Sequence, residues 1–289
     1  MPSIAVIMTC HNRREATVAA LRSFAASADR TLGVAYRVFL VDDGSTDGTA
    51  SAVASLEMPV TVIPGPGDLF WNRGMVRAWM AAQAHGDDFD GYLLLNDDTV
   101  LDDHALATLL ATDADHAQHA IVVGAVRDPN GGYVTYGGVR RTSRWHPGRV
   151  ARLPRSSQAQ PADTFNANCV YVPALVCEAI GILDPTFHHA MGDFDYGYRA
   201  TRHGYRVIVA PDTVGACARN PVTGTWRDPA VPLRRRLALL GSPKGLPRRE
   251  WSEFLRRHGA PWPGALAWLP TLQVLQSSRT WRVARTRRP

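Results

Sequence analysis

Residues 4–13 read IAVIMTCHNR, and this stretch decides how the chain begins to fold. From Ser3 to Met8 the run is apolar without the three-to-four spacing of a helix, which predicts a buried strand. Asn12, with Glu15 three residues on, has the spacing of a capping box, so a helix is expected from there to about Ala26. Working outward, the alternation repeats. Arg37–Val41 predicts a second strand, ending at Asp42-Asp43-Gly44-Ser45, and Thr49–Leu56 a short helix. Val60–Ile63 predicts a third strand, then a Pro64-Gly65-Pro66-Gly67 loop and a helix over Asn72–Ala84. Tyr92–Leu95 predicts a fourth, ending at Asn96-Asp97-Asp98, with a helix over Asp102–Ala111. Such alternation implies an α/β protein with a mostly parallel sheet and helices on both faces. Ligands of such sheets bind beyond the carboxyl ends of the strands, where the polar clusters stand here.

The second half is less regular. Strands are expected over Ala120–Val126, within Tyr133–Val139, over Ala167–Val172 and over Arg206–Ala210. Helices are expected over Ala174–Ile180 and Phe194–His203. Thr142–Pro161, rich in Arg, Pro, Ser and Gln, reads as a mobile loop. The pattern after about Pro229 is helical, basic and broken by prolines. Two units are therefore expected: 1–228, whose halves 1–100 and 101–228 would bind nucleotide and carry acceptor and catalysis, and a basic helical extension, 229–289.

The 289 residues are 45% hydrophobic and 20% charged, an ordinary globular composition. Four scattered cysteines, Cys10, Cys169, Cys177 and Cys217, form no CxxC pair and fit a reducing compartment. The apolar run at the N-terminus is far shorter than the roughly 20 residues that span a bilayer, so a cytoplasmic chain, soluble or peripheral on a membrane, is expected. The net charge of +6 is concentrated from Arg234 onward, through Lys244 and Arg248 to an Arg-rich tail, with Trp251, Trp262, Trp268 and Trp281 interleaved. Cations beside tryptophans suit an anionic membrane surface; a solvated helical face reads equally well. No nucleic-acid reader motif is present.

Thr9, His11, Asp42 and Asp43 are expected to face one crevice. A carboxylate there accepts a base NH and the His11 ring stacks on it, although Asp42-Asp43-Gly44-Ser45 also reads as a turn with a helix cap. Consecutive acids after an apolar strand, as in Asn96-Asp97-Asp98, need solvent, a pairing partner or a cation. Their hard oxygens suit Mg2+ or Mn2+ bridged to phosphates, while a helix N-cap cluster is the plainer reading.

In order and spacing, IAVIMTCHNR, FLVDDGSTDGT and LLLNDDT together resemble the family 2 inverting glycosyltransferases, which have the Rossmann-like GT-A fold. The resemblance runs from about Ser3 to Asn220 and extends to rhamnosyl- and galactosyl-type transferases of bacterial polysaccharides. It implies that Thr9, His11 and Asp43 hold the base, that Asn12 joins them in binding the nucleotide donor, that Asp97 meets the ribose or donor sugar, and that Asp98 binds the metal. Asn96 occupies the first position of the family's DXD motif, where Asp is common. Phe70-Trp71-Asn72-Arg73-Gly74 matches a segment near the donor, which gives Trp71 or Arg73 to the diphosphate or sugar. In Asp193-Phe194-Asp195-Tyr196-Gly197-Tyr198-Arg199, Asp193 takes the position of the base, kept ionised by the helix N-terminus. An N-cap role is compatible with that. Asp195 and Arg199, four apart, are expected to pair. Asn166, Asn168, His188 and His189 fall on the acceptor side. Where many relatives carry a metal-binding His, this chain has Cys217.

The implied activity is metal-dependent transfer of a sugar from a UDP- or dTDP-linked donor to a hydroxyl of a glycan or lipid-linked glycan, in cell-surface polysaccharide synthesis. A sugar-phosphate nucleotidyltransferase is the first alternative, but Thr9-Cys10-His11-Asn12 stands where that class has a Gly-rich basic loop. A non-catalytic glycan-binding protein is the second.

Overall fold

A computed structural model describes residues 1–286, with side chains of the last helix described to Ser278. Trp281 and the Arg-rich tail lie outside the described side chains. The first half comprises β1 (Ser3–Cys10), α1 (Arg14–Asp29), β2 (Ala35–Asp42), α2 (Thr49–Ala54), β3 (Val60–Pro64), α3 (Phe70–Gln83), β4 (Gly91–Leu95), β5 (Val100–Leu101) and α4 (Ala105–Asp115). The second continues with β6 (Ala120–Val123), β7 (Val126–Arg127), β8 (Val134–Tyr136), β9 (Gly138–Arg141), β10 (Val150–Arg152), β11 (Gln160–Ala162), β12 (Thr164–Phe165), β13 (Cys169–Pro173), α5 (Ala174–Ile180), α6 (Gly192–Arg202), β14 (Arg206–Val209) and β15 (Gly215–Ala216). Four helices close the chain: α7 (Leu233–Gly241), α8 (Arg248–Arg257), α9 (Pro263–Leu266) and α10 (Leu269–Thr286).

The main sheet has the order β11-β14-β6-β13-β4-β1-β2-β3. Strands β4, β1, β2 and β3 are parallel, β13 runs antiparallel to both its neighbours, and β14 is parallel to β6. Because β1 lies between β2 and β4, the chain builds outward on one side and then crosses back. That reversal opens a crevice at the carboxyl ends of β1 and β4.

Successive residues of β1 enter opposite cores, as a pleated strand dictates. Ile4, Val6 and Met8 pack with Leu21 and Phe24 of α1 and Leu106 of α4. Ala5 and Ile7 pack on the other face with Trp79 of α3 and Tyr196 of α6. A third cluster joins Phe194 and Tyr198 of α6 to Trp251, Phe254 and Leu255 of α8. The basic C-terminal segment thus shares a core with the helix that carries Asp193.

Several expectations need correction. Asn12 does not cap α1: its backbone has a positive φ of 51°, and its Oδ1 accepts from Thr46 N at 2.8 Å. The helix begins at Arg14, whose N–H donates to Asp47 Oδ2 at 3.0 Å, so the cap comes from the β2–α2 loop. Ala120–Val126 is broken at Gly124, where a side chain would collide with Val214. Thr142–Pro161 is not simply a loop. Val150–Arg152 pairs with β9, and Gln160–Ala162 adds an antiparallel edge to β14. Pro161 is tolerated because an edge strand can leave one N–H out of the ladder.

Candidate active site

The crevice is built from its floor upward. Thr9 ends β1, 8% exposed, and its Oγ1 donates to Val41 O at 3.2 Å. Gly74 of α3 sits so close that any side chain there would strike Thr9. Thr9 therefore seats α3 against β1. His11 is exposed, with Nδ1 2.5 Å from Asp43 O; that bond fixes Nδ1–H and leaves the ring face open for stacking. Asp42 accepts from Ser45 N at 3.0 Å. Asp43 is buried, and its carboxylate is turned onto the next loop. Oδ1 accepts from Gly67 N at 2.8 Å, and Oδ2 from Leu69 N at 2.9 Å and Phe70 N at 3.2 Å. Gly65 packs on the same carboxylate, where a Cβ would lie 2.7 Å from Oδ1. Asp43 thereby fixes the start of α3.

That helix start reaches both sides of the crevice. Trp71 Nε1 donates to Asn96 Oδ1 at 2.7 Å, and Trp71 N lies 3.4 Å from His189 Nδ1. Asn72, fully buried, donates to Asp184 O and Phe187 O at 2.8 and 2.7 Å. Arg73 donates to Pro185 O at 3.0 Å, so it braces this loop.

The acidic pair is held by a cation that the motif reading did not single out. Arg13 Nη1 lies 2.5 Å from Asp98 Oδ2 and 3.4 Å from Asp97 Oδ1, bridging the ends of β1 and β4. Burial pushes the Asp97 carboxyl up to about 7, against the pull of Arg13 and with the repulsion of Asp98. Cys217 stands at the same place, its Sγ 3.5 Å from Asp98 Oδ1. Burial first, then the Asp98 charge, pushes its thiol up to about 12, so it is a neutral donor. Asn168 donates to Cys217 Sγ at 3.5 Å and its carbonyl accepts from Asn96 N at 3.0 Å. Asn168 thus belongs to the acidic pair's surroundings.

Asp193 lies in the first turn of α6. Met191, the residue before this helix, has a φ of 73°, a strained backbone for a side-chain-bearing residue. A Cβ at Gly192 would collide with the Asn72 amide, so α6 and α3 meet at their N-termini. The Asp193 carboxylate is half-buried and accepts from Phe194 N at 2.8 Å. Ala167 N and the Asn166 side chain also hydrogen-bond it, which sets Asn166 beside Asp193. Burial outweighs these donors and raises its pKa to about 6. The expectation that the helix N-terminus lowers this pKa is therefore corrected: the cost of desolvation exceeds the help of the helix dipole.

The expected Asp195–Arg199 pair is present, with Oδ2 at 2.8 Å from Nε. His258, just past α8, lies 3.0 Å from the other oxygen of Asp195. Burial works to raise the Asp195 pKa, but His258 and Arg199 prevail and hold it below the ordinary range. Glu250 of α8 grips His188 at both N and Nδ1, at 3.0 and 2.7 Å. His189 is pushed down to about 4, by burial first and then by Lys244 and Arg13, so it is neutral. Sequence reading gave no role to Arg13, Glu250 or His258, because the first is an ordinary helix-start residue and the others lie in a basic, aperiodic segment.

A doubly wound sheet with an acidic pair at its crossing point and a helix-borne carboxylate opposite is the GT-A arrangement of glycosyltransferases. The family model for glycosyl transferase family 2 matches residues 5–176, and the chain belongs to that family. No curated protein matches it. Among solved structures, the mannosyltransferase PcManGT from Pyrobaculum calidifontis, in complex with GDP-Man and Mn2+, is similar over 100% of this chain and 76% of that one, at 18% identity and TM-score 0.57. GalNAc-T7 with UDP, GalNAc and Mn2+ is similar over 77% of this chain and 44% of that one, at 14% identity and TM-score 0.58. TarS 1-349 from S. aureus in complex with UDP is similar over 89% and 72%, at 15% identity and TM-score 0.53. At these identities the likeness is one of fold.

Whether the residues present suit a divalent cation is answered by Arg13. Among the described residues no three His, Cys, Asp or Glu side chains gather into a ready-made cage. A hard cation that bridges to phosphates needs only one or two carboxylates from the protein. Asp98 offers one, 29% exposed, and the guanidinium already on it shows that the acidic pair draws positive charge to this point. The donor set therefore fits Mg2+ or Mn2+ completed by a diphosphate.

Proposed function

We propose that the chain is an inverting, divalent-cation-dependent glycosyltransferase that moves a sugar from a UDP- or dTDP-linked donor to a hydroxyl of a glycan. The observation that supports this reading is the reach of the α3 N-terminus: Trp71 bonds Asn96, beside Asp97 and Asp98, and Asn72 packs against Gly192, beside Asp193. The base stacks on His11, at the exposed mouth of β1. Asp97 takes the ribose or donor sugar, and Trp71, with its indole N–H already on Asn96, walls the sugar side. Asp98 would hold the metal, which when bound supplies charge neutralisation of the departing diphosphate. Asp193 accepts the proton of the acceptor hydroxyl while that oxygen forms its bond to the anomeric carbon. The bond from that carbon to the diphosphate oxygen breaks on the opposite face, and its electrons leave with the diphosphate. One displacement thus inverts the centre. Asn166, hydrogen-bonded to Asp193, and the neutral His189 orient the acceptor.

The acceptor we infer is a lipid-linked or surface polysaccharide at the cytoplasmic face of a membrane. No helix among the described residues is long and apolar enough to cross a bilayer. Trp262 is 78% exposed, and Arg248 lies over the half-exposed Trp268 ring at 4.2 Å, a pairing suited to an anionic lipid surface. Salt-sensitive cosedimentation with anionic vesicles, lost on replacing Trp262 and Trp268 by Ser, tests this placement; unchanged partitioning contradicts it.

The activity itself is tested by incubating UDP-, dTDP- and GDP-sugars with Mn2+ and resolving the products. Release of a nucleoside diphosphate supports transfer. Release of pyrophosphate from a nucleoside triphosphate and a sugar phosphate points instead to the nucleotidyltransferase alternative.

A further inference from the structure

Helix α4 carries an acid where its buried stripe calls for an apolar side chain. Leu106 and Leu109 face the core, and Asp113, one turn beyond Leu109, is only 4% exposed. Among the described residues its Oδ1 has no hydrogen-bond partner, and no cation pairs with the carboxylate. Burial alone pushes its pKa up to about 6, so near neutral pH it stands mostly ionised and unanswered. Such a group destabilises a fold, because no donor offsets the loss of its water.

The carboxylate does not end in solid packing. It lines a cavity of about 340 Å³ at the amino ends of β1 and β4, the end of the sheet opposite to the crevice. Pro2, Leu110 and the exposed Ala114 supply apolar wall. The polar groups come from other elements. Asp90 precedes β4; its Oδ2 accepts from Ser3 N at 2.7 Å, and its Oδ1 has no partner among the described residues. Tyr171 of β13 lays its phenol over Gly91, where a side chain would collide with it, and donates to Asp90 O at 3.4 Å. Gln118, whose N–H donates to Asp113 O at 3.2 Å, adds an amide. No Lys, Arg or His lines the cavity, and no ion pair joins the exposed Met1 to either acid.

Two carboxylates, an amide and a phenol beside an apolar wall restrict what can enter. An anion is repelled. A hard metal ion takes six or more oxygens, and among the described residues no three His, Cys, Asp or Glu side chains gather to hold one. An organic cation suits both halves, since its N–H groups meet the acid and its carbons cover the wall.

We propose that this cavity binds a small organic ammonium ion, whose N–H groups hydrogen-bond the Asp113 carboxylate. The site shares no residue with the crevice and does not depend on the transferase reading.

Calorimetric titration of the full chain in phosphate buffer near neutral pH tests the site, with n-butylammonium and putrescine as probes, n-butanol as the uncharged control and potassium as the inorganic one. At least one of the two amines is expected to bind and to raise the melting temperature, while butanol and potassium do neither. Asp113→Asn should weaken the amine about tenfold or more, the worth of a hydrogen bond to a charged group, with a melting temperature no lower than that of the wild type. Ala114→Trp, at an exposed wall position, should block binding with Asp113 intact, so the site is tested even if the Asn variant fails to fold. Absence of amine binding to the wild type overturns the proposal. So does equal amine affinity in both variants, or binding of potassium in place of the amines.

Discussion

The two acidic positions of the crevice are solved in opposite ways. Asp97 and Asp98 are met by Arg13, a mobile side chain whose charge can be exchanged for another cation. Asp193 has no ion pair among the described residues; it is met by the N–H groups of Phe194 and Ala167 and the Asn166 amide. Burial raises both Asp97 and Asp193, yet the consequences differ. A pair compensated by a cation is suited to receive a metal and a diphosphate. A carboxylate compensated only by neutral donors is suited to take up a proton, because its protonated form needs no counter-ion to leave. The difference teaches that the kind of compensation, rather than the raised pKa itself, is what distinguishes the two acidic positions.

That contrast can be broken at several points. Asp193→Asn is expected to lower turnover by about 10²–10⁴-fold, the usual worth of a general base, with nucleoside diphosphate binding unchanged. Full activity in that variant removes Asp193 from the chemistry. Asp98→Asn is expected to weaken Mn2+ binding on the order of tenfold to a hundredfold, read by electron paramagnetic resonance in the presence of UDP. If Mn2+ still binds as in the wild type, the metal site lies elsewhere.

The third effect is one of pH. Asp193 must be ionised to accept a proton, and its pKa is raised to about 6. Turnover should therefore hold at higher pH and fall about tenfold per unit once pH drops below 6. A cation on Asp98 would favour ionised Asp97, so the profile is to be read in saturating Mn2+, where the limb is expected to belong to Asp193. A flat profile between pH 5 and 8 would exclude it as the base.

Gly192→Ala forces a Cβ into the Asn72 amide and should cost about 1–3 kcal/mol, seen as a lower melting temperature. An unchanged melting temperature would show that α3 and α6 are less tightly joined than described. The smallest expected effect is Glu250→Gln, which keeps the bond to His188 N but loses the carboxylate on the ring. About 1–2 kcal/mol of stability and a raised KM for the acceptor, with the donor KM unaltered, are expected. A shift in donor KM instead would place His188 on the wrong side of the crevice.

The parallel half was legible because its strands are unbroken apolar runs and its ligand loops follow them directly. Ala174–Ile180 was read to the residue. What escaped were pairings made across long sequence separations. Asp47, far from α1 in sequence, caps it in place of Asn12, and local spacing carries no trace of that. The edge strand Gln160–Ala162 owes its existence to Val207–Val209, since its own composition is that of a loop. The individual carboxylates of the site could be named from their motifs, but their partners could not. Arg13 reads as a helix start, and Asp43 as an open acceptor although three backbone amides occupy it.

A crystal structure of the chain with Mn2+ and UDP tests the central claim most directly. The account predicts the cation on Asp98, the diphosphate beside it at the carboxyl ends of β1 and β4, and the Asp193 carboxylate facing it across an open space for the sugar and acceptor. A nucleotide bound away from that crevice, with Arg13 still closed on Asp98, would contradict it.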